Sequence, residues 1–550
     1  MGILRTISVG LSLLSVTTAL QGAGAESSSP WFQWHFAGTR AVKAHPKAGK
    51  VKEIWRLPES RRLSTSVVQG LAQAAEKEAF GAQASAPTVR RRIATQFVEE
   101  ILTFESYGEI NGASNQHPNL SIAVKLPKAR YEEWDRNIKR YLGTLGWKAP
   151  EQNPDSETPD WTATHKDSAL LTRFVKQGDW VFFSIGPDAY SKVPAWMVGK
   201  EEDQIPSLQE DTVLSLSSRL EGLVEWLADT SLPMLPEFKA QAKFDDYGVR
   251  TEGTLELKEP VSKPLPEWNP PKEQIFSPIV GFSGSRGLEK LIGSFPVAAP
   301  LLQQGLPDQV YSWARPAPVS SNAIPVFPIY MSWPIDKDNI SIANLTKQLP
   351  LLAGPGIMES GSVQLLSYPN RNETILSVTP TFIQPFVKGA TNATHGVRIA
   401  GLFPHAIMKK SAPEALFQQL DSRENVVYYQ WEITQHRIES YKPLLKLIAF
   451  LFSKPQSSAS SPGYRWLTAI EKKLGNTVTI VTAPETTKLE FFRKSHFGFT
   501  GLELTLLSEW LASKSFPWID KNLFAEWKMR NFFALPSAPA TPSRNVKTRR

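Results

Sequence analysis

Apolar residues recur every fourth position at Leu63, Val67, Leu71 and Ala75, and again at Val89, Ile93, Phe97 and Ile101. That spacing lays one apolar stripe along a helix, so two helices are predicted, the second opening after Ser85 and Pro87. Ahead of them, residues 26–60 read as irregular and aromatic-rich, with Trp31, Phe32, Trp34 and Phe36 close together.

Farther along, strand-like and helix-like patterns alternate in a recurring order. Residues 120–126 (LSIAVKL) read as a strand, followed by a helix with Tyr131, Trp134, Ile138 and Tyr141 on one face, then strands at 178–187 and 247–257. A second series runs from a strand at 326–333 through a helix bearing Ile342, Leu345, Leu349 and Leu352 to strands at 372–380 and 395–403. A third runs from 426–433 through Ile438, Tyr441, Leu445 and Ile448 to strands at 475–484 and 497–506. In each series the middle strand ends in Pro, which has no N–H for a ladder, and the last opens near a Gly that permits a turn. The run Gly-Val-Arg-x-x-Gly occurs at both 248–253 and 396–401. Against a regular repeat, Pro350 and Pro443 fall inside two of the helices, where Pro removes a hydrogen bond and clashes with the preceding turn. Residues 170–187 and 478–492 read as hairpins turning at Gln177-Gly178 and near Pro484-Glu485.

The fold class this predicts is α+β: repeated β-α-β-β units with antiparallel sheets and helices on one face, preceded by an N-terminal helical segment. Pro-rich stretches place the boundaries. They give a leader at 1–25, an aromatic-rich and helical segment at 26–118, and a first unit at 119–257. A Pro-rich linker region with a short helix follows at 258–325, then units at 326–405 and 406–534 and a disordered tail at 535–550.

The first 25 residues change the picture from fold to destination. Arg5 is followed by an apolar stretch at 7–20, too short to cross a bilayer, and then by Ala23-Gly24-Ala25. This is the layout of a cleavable secretory signal, with cleavage expected after Ala25 and an exported, periplasmic or extracellular product. No cysteine follows to carry a lipid, and the best later apolar run, 444–452, is about half a membrane span. Zero Cys also means no disulfides and no thiolate chemistry, so stability must come from packing. With 41% hydrophobic and 21% charged residues, 17 Trp and 28 Phe, the material for a core is ample. The formal charge of +8 is spread rather than clustered, which speaks for a mildly basic surface against anionic envelope polymers and against nucleic acid.

Motif by motif, the chemistry is sparse. No GxxxxGK[ST] occurs, and the mature chain holds no GxGxxG. The Gly-rich piece from Gly281 to Gly287, with Arg286, reads as a strand-to-helix turn, and Ser283 within it lacks the final Gly of a nucleophile elbow. The eight His show no HxxxH or HExxH spacing. Asp336, Asp338 and Asn339 precede a predicted helix and read as its cap rather than a calcium loop. The adjacent pairs Glu99-Glu100, Glu132-Glu133 and Glu201-Glu202 point to different faces and read as solvated charges. Trp31, Trp34, Trp313, Trp333, Trp510 and Trp518 are candidates for stacking on sugars, with core packing as the default. Sequons stand at Asn119, Asn339, Asn344, Asn372 and Asn392. No catalytic, metal or cofactor residue is assigned. The expectation is a non-catalytic binding or scaffolding protein of the periplasm or cell envelope, its partner an envelope polymer or protein. The rivals are an exported, polysaccharide-acting hydrolase with a dispersed carboxylate site and a carrier of apolar ligands.

Overall fold

The computed structural model describes residues 30–80, 88–111, 119–154, 156, 158–187, 207–219, 237–258, 260–290, 307–316, 328–335, 362–368, 373–379, 386–391, 396–401, 410–421, 424–451, 461–513 and 516. The first ten strands are β1 (Phe32–Phe36), β2 (Ser106–Asn111), β3 (Asn119–Lys125), β4 (Glu151–Gln152), β5 (Asp160–Thr164), β6 (Leu171–Gln177), β7 (Trp180–Gly186), β8 (Thr212–Arg219), β9 (Glu237–Phe244) and β10 (Val249–Glu256). The next are β11 (Gly281–Arg286), β12 (Gln309–Ala314), β13 (Ile329–Ile335), β14 (Ser362–Tyr368), β15 (Glu373–Thr379), β16 (Phe386–Thr391), β17 (Gly396–Gly401), β18 (Val426–Ile433), β19 (Asn476–Thr482) and β20 (Lys488–Ser495). Nine α-helices are described: α1 (Gly38–Ala44), α2 (Gly49–Trp55), α3 (Pro58–Phe80), α4 (Thr88–Thr103), α5 (Lys128–Thr144), α6 (Glu414–Asp421), α7 (Thr434–Leu451), α8 (Pro462–Glu471) and α9 (Gly501–Leu511).

Antiparallel pairing joins the strands into one continuous sheet, in the order β4-β5-β6-β7-β3-β2-β1-β8-β9-β10-β20-β19-β18-β11-β12-β13-β17-β16-β15-β14. The class is therefore α+β, with mixed helices and a large antiparallel sheet.

The predicted apolar stripes are the ones that meet the sheet. Leu63, Val67 and Leu71 of α3, Ile93, Phe97 and Ile101 of α4, and Trp134 and Ile138 of α5 are buried in one core with Trp34, Ile122 and Phe183 of the strands. That core also takes in Trp466 of α8 and Leu504 and Leu507 of α9, so helices far apart in sequence share one layer. A second core gathers Phe282, Tyr311, Trp313, Tyr330 and Phe386 from β11, β12, β13 and β16 under Phe417 of α6.

Several expectations differ from the outcome. Residues 26–60 hold a strand and helices, because Phe32, Trp34 and Phe36 alternate inward along β1. The region 258–325, read as a Pro-rich linker, contains β11 and β12, whose Phe282, Tyr311 and Trp313 are buried. Residues 497–506, read as a strand, instead cap and begin α9. Thr500 accepts from the Glu503 N–H while the Glu503 carboxylate accepts from the Thr500 N–H, a reciprocal cap that overrides the run of apolar residues. Pro443 does not end α7, which runs through it.

The three series are also not placed alike. β3 lies between β2 and β7, and β13 lies between β12 and β17, but β18 lies between β11 and β19. The two Gly-Val-Arg runs fall on β10 and β17, which hold different positions in the sheet. The leader, the 342–352 helix and the C-terminal tail lie outside the described residues.

Candidate functional site

Ser283 and Gly284 lie in the middle of β11, so the elbow-like run is a strand and presents no exposed nucleophile on a sharp turn. Arg286 is buried. Its Nε donates to the Val426 carbonyl at 2.8 Å, and its two terminal nitrogens donate to the Pro266 and Glu424 carbonyls at 2.7 and 2.6 Å. Its guanidinium also lies over the Trp268 ring. It is a brace for a proline-rich loop rather than an anion holder. Among the described residues no group of three or more His, Asp or Glu could hold a metal ion. Trp31, Trp34, Trp313 and Trp510 are buried, so they pack rather than stack on a ligand. Asn119 is 3% exposed, in the first position of β3, which leaves no room for a glycan there. Glu201, Glu202, Asp336, Asp338, Asn339, Asn344, Asn372, Asn392 and Trp518 lie outside the described residues.

A gathering of ionisable groups sits where α7 and α9 cover β18, β19 and β20. Glu432 of β18 is 1% exposed. It accepts from the Gly501 N–H at 2.6 Å and from Gln430 Nε2 at 3.2 Å, with Arg437 Nε at 4.0 Å. Tyr428 donates to Gln430 at 3.0 Å, and the Arg437 guanidinium lies over the Tyr441 ring. Next to them Arg493 of β20 grips Glu503 with two nitrogens, at 2.7 and 3.1 Å, and donates to Thr479 at 3.0 Å. Burial pushes the Glu432 carboxyl up, against the Gly501 N–H and Arg437, and pushes the Tyr428 phenol up to about 12. Burial opposes ionisation of Glu503 too, but Arg493 and the Thr500 amide outweigh it and hold its carboxyl below the usual range. The arrangement anchors two helices to the sheet. Its carboxylates are engaged by donors inside the protein, and no side chain is left as a free base beside a cleft.

A different feature lies between α4, α5 and the face of β3 and β7. Phe97, Ile101, Ile122, Trp134, Ile138 and Phe183 are among the walls of a cavity of about 50 Å³ that is almost wholly carbon-lined. That is room for about three or four water-sized groups, and apolar cavities of this kind stay dry. Beside it Glu100 is buried, accepting from Trp134 Nε1, with Arg130 Nε at 3.4 Å and Gln96 at 3.5 Å. Burial pushes the Glu100 carboxyl up, against the hydrogen bond from Trp134. The adjacent pair Glu99-Glu100 is thus split, one residue inside and one out, as neighbours on a helix must be.

A third, open groove of about 470 Å³ crosses β10, β20 and β19, with Glu252, Thr254, Ile480, Thr482, Glu490 and Phe492 in its walls. Its carboxylates are paired: Glu252 with Lys243 and Arg250, and Glu490 with Lys488.

Comparison with known proteins adds little to this geometry. No protein-family model matches the chain, and no curated protein does. Among solved structures, crystal form IV of TP0453 is similar at 11% identity over 43% of this chain and 81% of that one, with a TM-score of 0.23. Crystal form I of TP0453 is similar at 10% identity over 45% and 79%, with a TM-score of 0.24. A likeness that faint carries no argument about fold or activity.

Proposed function

We propose that the chain is an exported, non-catalytic binding or scaffolding protein of the periplasm or cell envelope, built from repeated α+β units. The observation that supports this reading is the engagement of Glu432, Arg437, Arg493 and Glu503 with one another and with backbone amides, which makes this ionisable cluster a structural anchor. The export part rests on Arg5, the apolar stretch that follows it and Ala23-Gly24-Ala25.

Both parts are open to test. Expressed with its leader in a secreting bacterium, the chain should be recovered from the periplasm or medium with Glu26 first by mass spectrometry. Cytoplasmic protein retaining residues 1–25 would sink the export reading. The mature chain should then co-sediment with isolated envelope polymers while releasing no soluble fragments from them. Release that is lost in Glu432→Gln would favour the hydrolase instead.

The carbon-lined cavity favours a second reading, a carrier of apolar ligands. At about 50 Å³ the space holds only a short apolar group, such as the end of an acyl chain. Quenching of Trp134 fluorescence by brominated fatty acids, abolished by filling the space with Ala94→Leu, would support it. Quenching unchanged by that substitution would count against it.

A further inference from the structure

We infer that the chain is two copies of one ten-strand module, β1–β10 and β11–β20, and that β10 and β20 are the same strand of each copy, joined as a self-recognising edge.

The order of strands in the sheet is the first ground. From one end it runs 4-5-6-7-3-2-1-8-9-10, and from the other end 14-15-16-17-13-12-11-18-19-20, so each strand and its counterpart ten later have the same neighbours. A shared irregularity is the second. Between β8 and β9 the register skips Val213, passing from Thr212 opposite Lys243 to Leu214 opposite Ala242. Between β18 and β19 it skips Val427, passing from Val426 opposite Thr482 to Tyr428 opposite Val481. In both copies the bulge falls on the second residue of the strand, and that residue is a buried valine. A bulge sets where the ladder changes step, so its recurrence is a positional marker, not generic α+β punctuation.

Counting from that marker aligns the copies residue by residue. His35 faces Ser215 and Gly284 faces Tyr429; Tyr107 then faces His35, and Tyr311 faces Gly284. The counterparts Tyr107 and Tyr311 are the same residue type, and both are buried.

The same count crosses the joint. Ala242 faces Thr251 and Val481 faces Phe491, so Thr251 and Phe491 are counterparts. Thr251 faces Arg493 while Phe491 faces Gly253, and midway between them Glu252 faces Phe492, its own counterpart. An antiparallel pair of equivalent strands always carries such a local two-fold, and here it falls on a residue pair rather than between two. The local axis passes through the Glu252–Phe492 pair, in the wall of the open groove. The partner this edge fits is a second copy of the module, supplied here by the same chain.

Two measurements test it on the full chain, whose lack of native cysteine keeps thiol chemistry unambiguous. The first places thiols at Glu252→Cys with Phe492→Cys, or at Glu252→Cys with Lys494→Cys or Glu490→Cys, and joins them with a short dithiol-reactive bridge. Directly opposite residues lie about 5 Å apart and diagonal ones about 7–8 Å, so the 252–492 pair should bridge fastest. Faster bridging of a diagonal pair displaces the axis and overturns the inference. The second reorders the modules, running residues 259–550 first and 26–258 after them. An edge that recognises its copy does not depend on which copy comes first, so the permuted chain should keep its circular dichroism and bridge 252 to 492 at the native rate. A permuted chain that folds without that bridge, or loses its structure while the native order keeps both, overturns it.

Discussion

Two glycines in the middle of strands show how single atoms hold this sheet together. Gly108 lies opposite Trp34, and a Cβ placed on it would meet the Trp34 ring at 2.0 Å. Gly253 lies opposite Phe491, and a Cβ there would meet the Lys239 carbonyl at 2.0 Å and the Phe491 ring at 2.6 Å. In both, an aromatic ring covers the space the glycine leaves, a cross-strand device that pins register. Gly108→Ala and Gly253→Ala should each destabilise by about 1–3 kcal/mol in denaturant titration, as overpacking does. Gly253→Ala has the harder clash, because backbone cannot rotate away.

The paired glutamates make a prediction about pH at the same scale. Glu432 has its carboxyl raised, so its contribution is fully present below the usual glutamate value of 4.5 and is lost as pH rises through the raised value. Glu503 has its carboxyl lowered, so its contribution is present above 4.5 and is lost as pH falls through the lowered value. The stability of the wild type relative to Glu432→Gln should therefore fall toward neutral pH, while that relative to Glu503→Gln should fall toward acid. Glu432→Ala, which leaves the Gly501 N–H and Gln430 Nε2 without their acceptor, should lose about 1–3 kcal/mol. Matching pH profiles for the two Gln variants would refute the assignment.

At the scale of elements, what could be read from the chain depended on how many faces each element buries. α3, α4 and α5 bury one stripe and expose the rest, so the spacing of Leu63, Ile93 or Trp134 was legible. β3 and β7 were legible as short apolar runs between turn residues. β8, β9 and β11 were not recognised, because several of their buried positions carry small residues, Ser218, Ala240, Ala242 and Gly284, which blur the apolar alternation. α9 was masked by its own richness in Leu, and only the reciprocal cap of Thr500 and Glu503 distinguishes it from a strand. Thr500→Ala should cost about 0.5–2 kcal/mol by thermal melting, while Thr500→Ser should be nearly neutral. The polar anchor was illegible for another reason. Its members come from β18, α7, β20 and α9, and no local spacing announces that Glu432 and Gly501 will meet. One local sign existed: Tyr428, Gln430 and Glu432 alternate with Tyr429 and Trp431, so the strand carries a polar side and an apolar side.

Across the whole molecule, the helix layer ties the two ends of the chain together. Trp466 Nε1 of α8 donates to Ser60 Oγ of α3 at 3.1 Å, and Lys473 pairs with Glu53 at 2.6 Å. Residues from Trp31 to Leu511 belong to one core. Unfolding followed at Trp-rich sites of the two modules should therefore give coincident transitions, and Trp466→Ala should lower both midpoints together, a loss of about 3–5 kcal/mol in unfolding free energy. Separate transitions in the wild type would show that the shared layer does not couple them.

The pair at the centre of the sheet has a meaning for the chain while it is still being made. β10 is complete more than two hundred residues before β20 exists, and until then its hydrogen-bonding edge is open. Two half-made chains could meet along it, and in the native geometry each would bring Glu252 opposite the other's Glu252. Like charges directly across a ladder repel. The carboxylate that faces Phe492 in the finished protein, held there by Lys243 and Arg250 of its own module, would meet another carboxylate in such a pairing, which reserves the edge for the strand that arrives later on the same polypeptide.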